Sequence, residues 1–152
     1  MKRILVYSIV VIFVGIQFIR PVRNIAAPGP TPNDLTVLHP PSQAVTAILA
    51  RACNDCHSDT TRYPWYADIQ PVAWWLNRHI VDGKRHLNFS QFGKYPAKRS
   101  KKKLEGIIDE TREGGMPLTS YTLIHRDAKL TDADVKALAD WVRSIQQSTA
   151  TK

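Results

Sequence analysis

A chain of 152 residues, 43% apolar and 22% charged, has room for one small domain plus a leader and is too rich in apolar residues for global disorder. Its formal charge of +8 overstates the basicity of the domain: Lys2, Arg3, Arg20 and Arg23 come first, and from Pro28 onward 17 Lys and Arg face 13 Asp and Glu, a net +4. Charge of that size gives no reason to invoke nucleic acid, and two cysteines exclude a four-thiolate zinc or iron–sulfur site within one chain.

Residues 1–23 read as a signal or membrane-anchor segment. Met1 to Arg3 are basic, and Ile4 to Ile19 are apolar apart from Ser8, Gly15 and Gln17. The run is short for a span, which needs roughly 20 residues, although Arg20 and Arg23 could snorkel to the interface. Cleavage after Ala27 is the other possibility; paired cations before a cleavage site are unusual, so an uncleaved anchor is preferred. Residues 24–41 are rich in proline and read as an extended linker.

The domain is expected over 42–147. Ser42 suits an N-cap, and Val45, Ile48, Leu49 and Ala52 recur at helical spacing into Cys53-Asn54-Asp55-Cys56-His57. A helical turn sets both thiols and the imidazole on one face. This C-x-x-C-H arrangement is the pattern for covalent haem attachment: Cys53 and Cys56 as thioether points and His57 as proximal iron ligand. Two rivals stay open. A redox dithiol would need a strand before Cys53, where the pattern is helical. A Cys2His2 zinc site would need a histidine pair that His39, His79, His86 and His125 do not form by spacing.

Pro71 opens a second helix, with Val72, Trp75, Leu76, His79 and Ile80 as its apolar stripe and Gly83 just past its end. His79 is either an iron ligand or a packed histidine. Pro64 or Pro71 is the expected source of a carbonyl that orients the His57 ring. Residues 84–103 read as irregular, with a basic cluster of Lys94, Lys98, Arg99, Lys101, Lys102 and Lys103 that is either a solvated charge run or a docking patch for an acidic partner or anionic lipid.

A third helix is expected from about Lys101, carrying Leu104, Ile107 and Ile108 and stopping at Gly114-Gly115. Met116-Pro117 follows. As the one methionine besides Met1, Met116 is the candidate thioether ligand on the other side of a haem; the alternative is a core methionine. Thr131 to Asp134 resembles a capping box, and Val135, Leu138, Ala139, Val142 and Ile145 mark a last helix that should cross the first. Residues 148–152 read as a polar tail.

With these motifs in order, the stretches CNDCHSDTTRYPWYADIQPVAWWL, HIVDGKRHLNFSQF and GGMPLTSYTLIHRDAKLT resemble the haem-binding domain family of small c-type cytochromes over roughly Ala44 to Ile145. The resemblance implies an all-α, cytochrome c-like domain around one covalent haem c, with Cys53, Cys56, His57 and Met116 as cofactor-binding residues and His57 and Met116 on the iron. Ligands on both faces of the iron would leave no open position for substrate, so the expectation is an electron carrier rather than a catalyst, with a redox partner protein; the leader places it on the periplasmic side of a bacterial inner membrane, anchored, or soluble if the leader is cleaved. A peroxidase-like enzyme or diatomic-gas sensor with a displaceable distal ligand is the main alternative, and a module using haem to complete its core is a third.

Overall fold

The computed structural model describes residues 1–27 and 29–150. It is all-α. Among the described residues no strand forms, and a single antiparallel bridge joins Ile25 to Thr60. Pro28 and residues 151–152, assigned from the sequence to the linker and the tail, lie outside the described residues.

Helix α1 (Lys2–Ile16) buries none of its residues. Its 15 residues rise about 22 Å, against a hydrocarbon core of about 30 Å. Among the described residues no helix is long and apolar enough to cross a membrane.

The segment expected to be an extended linker is instead part of the domain. Within it α2 (Leu35–Leu38) is capped by the Asp34 carboxylate, which accepts from the Thr36 amide at 2.8 Å, and Leu35 is completely buried. The Asn24 side chain donates to the Ser58 carbonyl at 3.0 Å and to the Thr61 hydroxyl at 2.9 Å. Proline content could not reveal that one leucine is drawn into the core.

Helix α3 (Gln43–Ala52) starts as expected, the Ser42 hydroxyl accepting from the Val45 amide at 3.3 Å. It buries Val45, Ile48 and Leu49 and hands the chain at Cys53 to α4 (Asn54–His57). After a 3-10 turn at Trp65–Asp68 comes α5 (Val72–His86), three residues longer than expected because Gly83 lies within it. Its buried face is Ala73, Leu76 and Ile80; Val72 and Trp75, placed on the core stripe by spacing, are exposed.

The irregular region is also more ordered than its sequence suggests. Phe89–Lys94 is a 3-10 helix with Phe89 and Phe92 in the core, and α6 (Ala97–Arg112) begins about four residues before the expected start. Lys98 to Lys103 have no apolar periodicity to announce a helix, yet Lys and Arg are good helix formers and simply extend the stripe of Leu104 and Ile108 backward. The chain leaves α6 through Gly114, whose φ of +73° is the left-handed conformation anticipated for the stop.

A short α7 (Thr119–Thr122) precedes α8 (Asp132–Ala150). The capping box forms as read: Asp134 accepts from the Thr131 amide at 2.9 Å, and the Thr131 hydroxyl accepts from the Asp134 amide at 3.2 Å. The helix runs beyond the expected end, with the Thr149 hydroxyl donating to the Ile145 carbonyl at 3.0 Å. Helix α8 packs on both α3 and α6, joining Leu49, Leu104, Leu138, Val142 and Ile145 with Phe89 and Phe92 in the main core. A smaller cluster of Ala67, Leu76 and Ile80 lies under Cys56, Tyr63 and Tyr66.

Candidate functional site

The end of α3 and the single turn of α4 bring Cys53, Cys56 and His57 to one wall of a cavity of about 450 Å³, within the range of small-molecule sites, about 300–1,000 Å³. Helices α5 and α6 form further walls, and the segment after α6 closes another with Met116, Pro117, Leu118 and Tyr121. Leu87, Phe89, Ile107 and Leu130 make the lining predominantly apolar. All four site residues read from the sequence therefore border the same space.

The two cysteines are free thiols. Burial pushes Cys53 up to about 12 and Cys56 up to about 11, so both are protonated at neutral pH. A redox dithiol needs the opposite shift. Burial likewise lowers the His57 pKa, favouring the neutral imidazole that ligates metal. Its Nδ1 lies 2.9 Å from the Leu87 carbonyl oxygen. With Nδ1–H donating there, Nε2 is the ring nitrogen left with a lone pair. The orienting carbonyl thus comes from Leu87, not from Pro64 or Pro71, because the long α5 ends beside His57.

Three features of the wall went unread in the sequence. Gly83 is one: a Cβ there would lie 2.7 Å from the Cys56 carbonyl oxygen, so glycine lets α5 pack directly on the α4 turn. Asp55 is another. It is 8% exposed and accepts from the Tyr121 hydroxyl at 2.7 Å and from Arg62 through the amide, Nε and a terminal guanidinium nitrogen at 3.1–3.3 Å. Burial, then this bond to Asp55, drives the Tyr121 phenol pKa strongly upward. The third is the basic cluster's position on α6, which sets Lys102 and Lys103 on the cavity border, where desolvation and then Arg99 and Lys102 lower the Lys103 pKa.

The other histidines separate clearly. His79 and His86 border the cavity, while His125 stacks on Tyr121 with ring centroids 4.4 Å apart and pairs through Nε2 with the Tyr66 hydroxyl at 2.7 Å, outside the lining. His79 Nδ1 lies 2.8 Å from the Trp75 carbonyl, as a packed histidine would. Among the described residues no three His, Cys, Asp or Glu side chains form a group that could hold a metal ion.

The site is thus an apolar cavity in a helical domain, with two neutral thiols, an oriented neutral imidazole and a thioether on its walls. Residues 11–144 match the model of the haem-binding domain family, most of the chain, and the protein belongs to that family. Comparison with curated proteins and with solved structures finds no significant match. The cavity fits the family's cofactor: its walls are apolar, and its polar donors are of the kinds that attach to and ligate haem.

Proposed function

We propose that this haem-binding protein is a mono-haem c-type cytochrome, exported and membrane-attached through its N-terminal segment, that transfers electrons to or from a partner protein. Cys53 and Cys56 are the covalent attachment points, and His57 and Met116 are the axial ligands. The observation that carries the reading is that these four side chains border one apolar cavity while the Leu87 carbonyl holds His57 Nδ1. When bound, haem supplies one-electron chemistry, and a thioether ligand raises its reduction potential.

The chain's own contribution is positional. The α3–α4 junction fixes the thiols, the Leu87 carbonyl sets the imidazole tautomer, and Leu87, Phe89 and Ile107 keep water from the apolar walls. Lys102 and Lys103 bring positive charge to the rim, which suits an acidic partner. A leader ahead of the domain accords with export to the periplasmic side of a bacterial inner membrane, where covalent haem attachment takes place.

The spectrum of the holoprotein tests the ligation. The ferric form should show the weak near-infrared absorption of an iron–thioether bond, Met116→Ala should abolish it, and the reduced wild type should not bind carbon monoxide promptly. Prompt binding would favour a gas sensor or peroxidase-like enzyme, and an unchanged Met116→Ala spectrum would move the ligand to His79 or His86. Haem that leaves the Cys53→Ser, Cys56→Ser protein in acidic organic solvent but stays with wild type supports covalent attachment; loss from both refutes it.

A further inference from the structure

The chain does not leave α1 as a free tether. The Gln17 amide donates to the Gln70 carbonyl at 3.2 Å and accepts from the Gln70 amide at 2.9 Å. The Ile19 carbonyl then accepts from the Gln70 side chain at 2.9 Å and from the Trp74 indole at 2.8 Å, while Arg20 and Arg23 both pair with Asp68. Gln70 is 1% exposed. Gln17, one of the polar residues that interrupt the apolar run, is thus part of what fastens the run to the domain.

Around this junction the domain shows an unusual apolar surface. Trp65 is 78% and Trp75 45% exposed, with Ile69 and Val72 exposed between them and Phe18 and Ile19 exposed beside the fastening. Phe18 and Ile19 follow directly on α1, which from Ile4 to Ile16 is apolar apart from Ser8 and Gly15 and buries nothing. A rise of about 22 Å falls short of a bilayer core, and such a mismatch is relieved when the bilayer thins or flanking residues move into the interface. Tryptophan is the side chain most suited to that zone, with an apolar body and one polar edge. The carboxylate on this surface, Asp68, is neutralised by two arginines and so does not repel anionic lipid.

We propose that Trp65, Trp74 and Trp75 lie in the headgroup zone of the bilayer that α1 enters, with helix and domain held as one rigid unit by Gln17 and Gln70. This rests on the membrane attachment proposed above and adds an orientation to it. Trp75 packs against His79, ring centroids 4.2 Å apart, and His79 borders the haem cavity. The cavity is thereby held about one helical turn from the membrane surface, within reach of a membrane-bound redox partner.

The test uses the reduced full-length holoprotein carrying 5-fluorotryptophan, in vesicles of phosphatidylcholine and phosphatidylglycerol doped with a headgroup spin-labelled lipid. Fluorine resonances are assigned by single Trp→Phe replacements, and the buried Trp141 serves as internal reference. The spin label should broaden Trp65 and Trp75 and spare Trp141. In Gln17→Ala the chain should still float with vesicles while the broadening at Trp65 and Trp75 falls; unchanged broadening overturns the rigid coupling. A wild-type chain that floats without broadened tryptophans overturns the interfacial face and leaves attachment standing. A chain that does not float overturns both, and resonances that shift with protein concentration instead would assign the face to a second copy.

Discussion

Gly83 and Cys56 are in backbone contact: a methyl group at residue 83 would come within 2.7 Å of the Cys56 carbonyl oxygen and 3.1 Å of its Cβ. Alanine is otherwise the better helix former by roughly 1 kcal/mol, so intrinsic propensity and packing oppose each other here. The clash is with backbone, which cannot swing aside, and overpacking of this kind costs about 1–3 kcal/mol. Gly83→Ala should lower the urea midpoint and the yield of haem-loaded protein. A raised midpoint would mean that α5 stands off the α4 turn.

Asp55 joins the α4 turn to the Met116 side of the cavity through Tyr121. A hydrogen bond to a charged group contributes about 1.5–3 kcal/mol, and Tyr121→Phe should cost about that much while leaving Arg62 on the carboxylate. Because the two residues touch, a cycle of Tyr121→Phe, Asp55→Asn and the double variant should show a coupling energy above about 0.5 kcal/mol in chemical denaturation. Additive losses would make the 2.7 Å contact energetically idle.

The convergence of Cys53, Cys56 and His57 on one wall, the capping box and the α3–α8 core were legible because each rests on local spacing or on a clean 3.6-residue period. What escaped notice depends on partners distant in sequence. Leu87 serves through its carbonyl, which every residue carries, and becomes special only because α5 ends beside His57. Gly83 looked like a helix terminator, glycine's commonest local meaning, whereas close approach to Cys56 decides its identity. Val72 and Trp75 matched a helical stripe but are exposed, while Ala73, Leu76 and Ile80 form the buried face of α5. Spacing identifies faces of a helix; it does not say which of two overlapping faces is covered.

On the proposed electron-transfer function, Lys102 and Lys103 at the cavity border should make the exchange sensitive to the charge of the other reactant. Replacing Lys101, Lys102 and Lys103 by glutamine should slow oxidation of the reduced haem by ferricyanide several-fold at low ionic strength, and speed oxidation by a cationic ruthenium complex. Both effects should fade as the Debye length falls to about 10 Å at 0.1 M salt. Stopped-flow rates that ignore both reagent charge and salt would place the exposed haem edge away from α6.

The last helix offers a test against pH. Hydrogen bonding from the Thr131 amide, with Arg51 close by at 2.8 Å, leaves the Asp134 pKa below its ordinary value despite opposing burial. A carboxylate whose folded pKa is depressed stabilises the fold fully above its unfolded pKa of about 3.9 and loses that contribution as pH falls through the folded value. Asp134→Asn should therefore be less stable than wild type at neutral pH, by about 1 kcal/mol if the loss is typical of a helix cap. The gap should close on acidification, beginning near pH 4 and ending below the folded pKa. Thermal melts across that window decide it: a difference that persists undiminished at the acid end would show that the charge of Asp134 contributes nothing to holding α8 against Arg51.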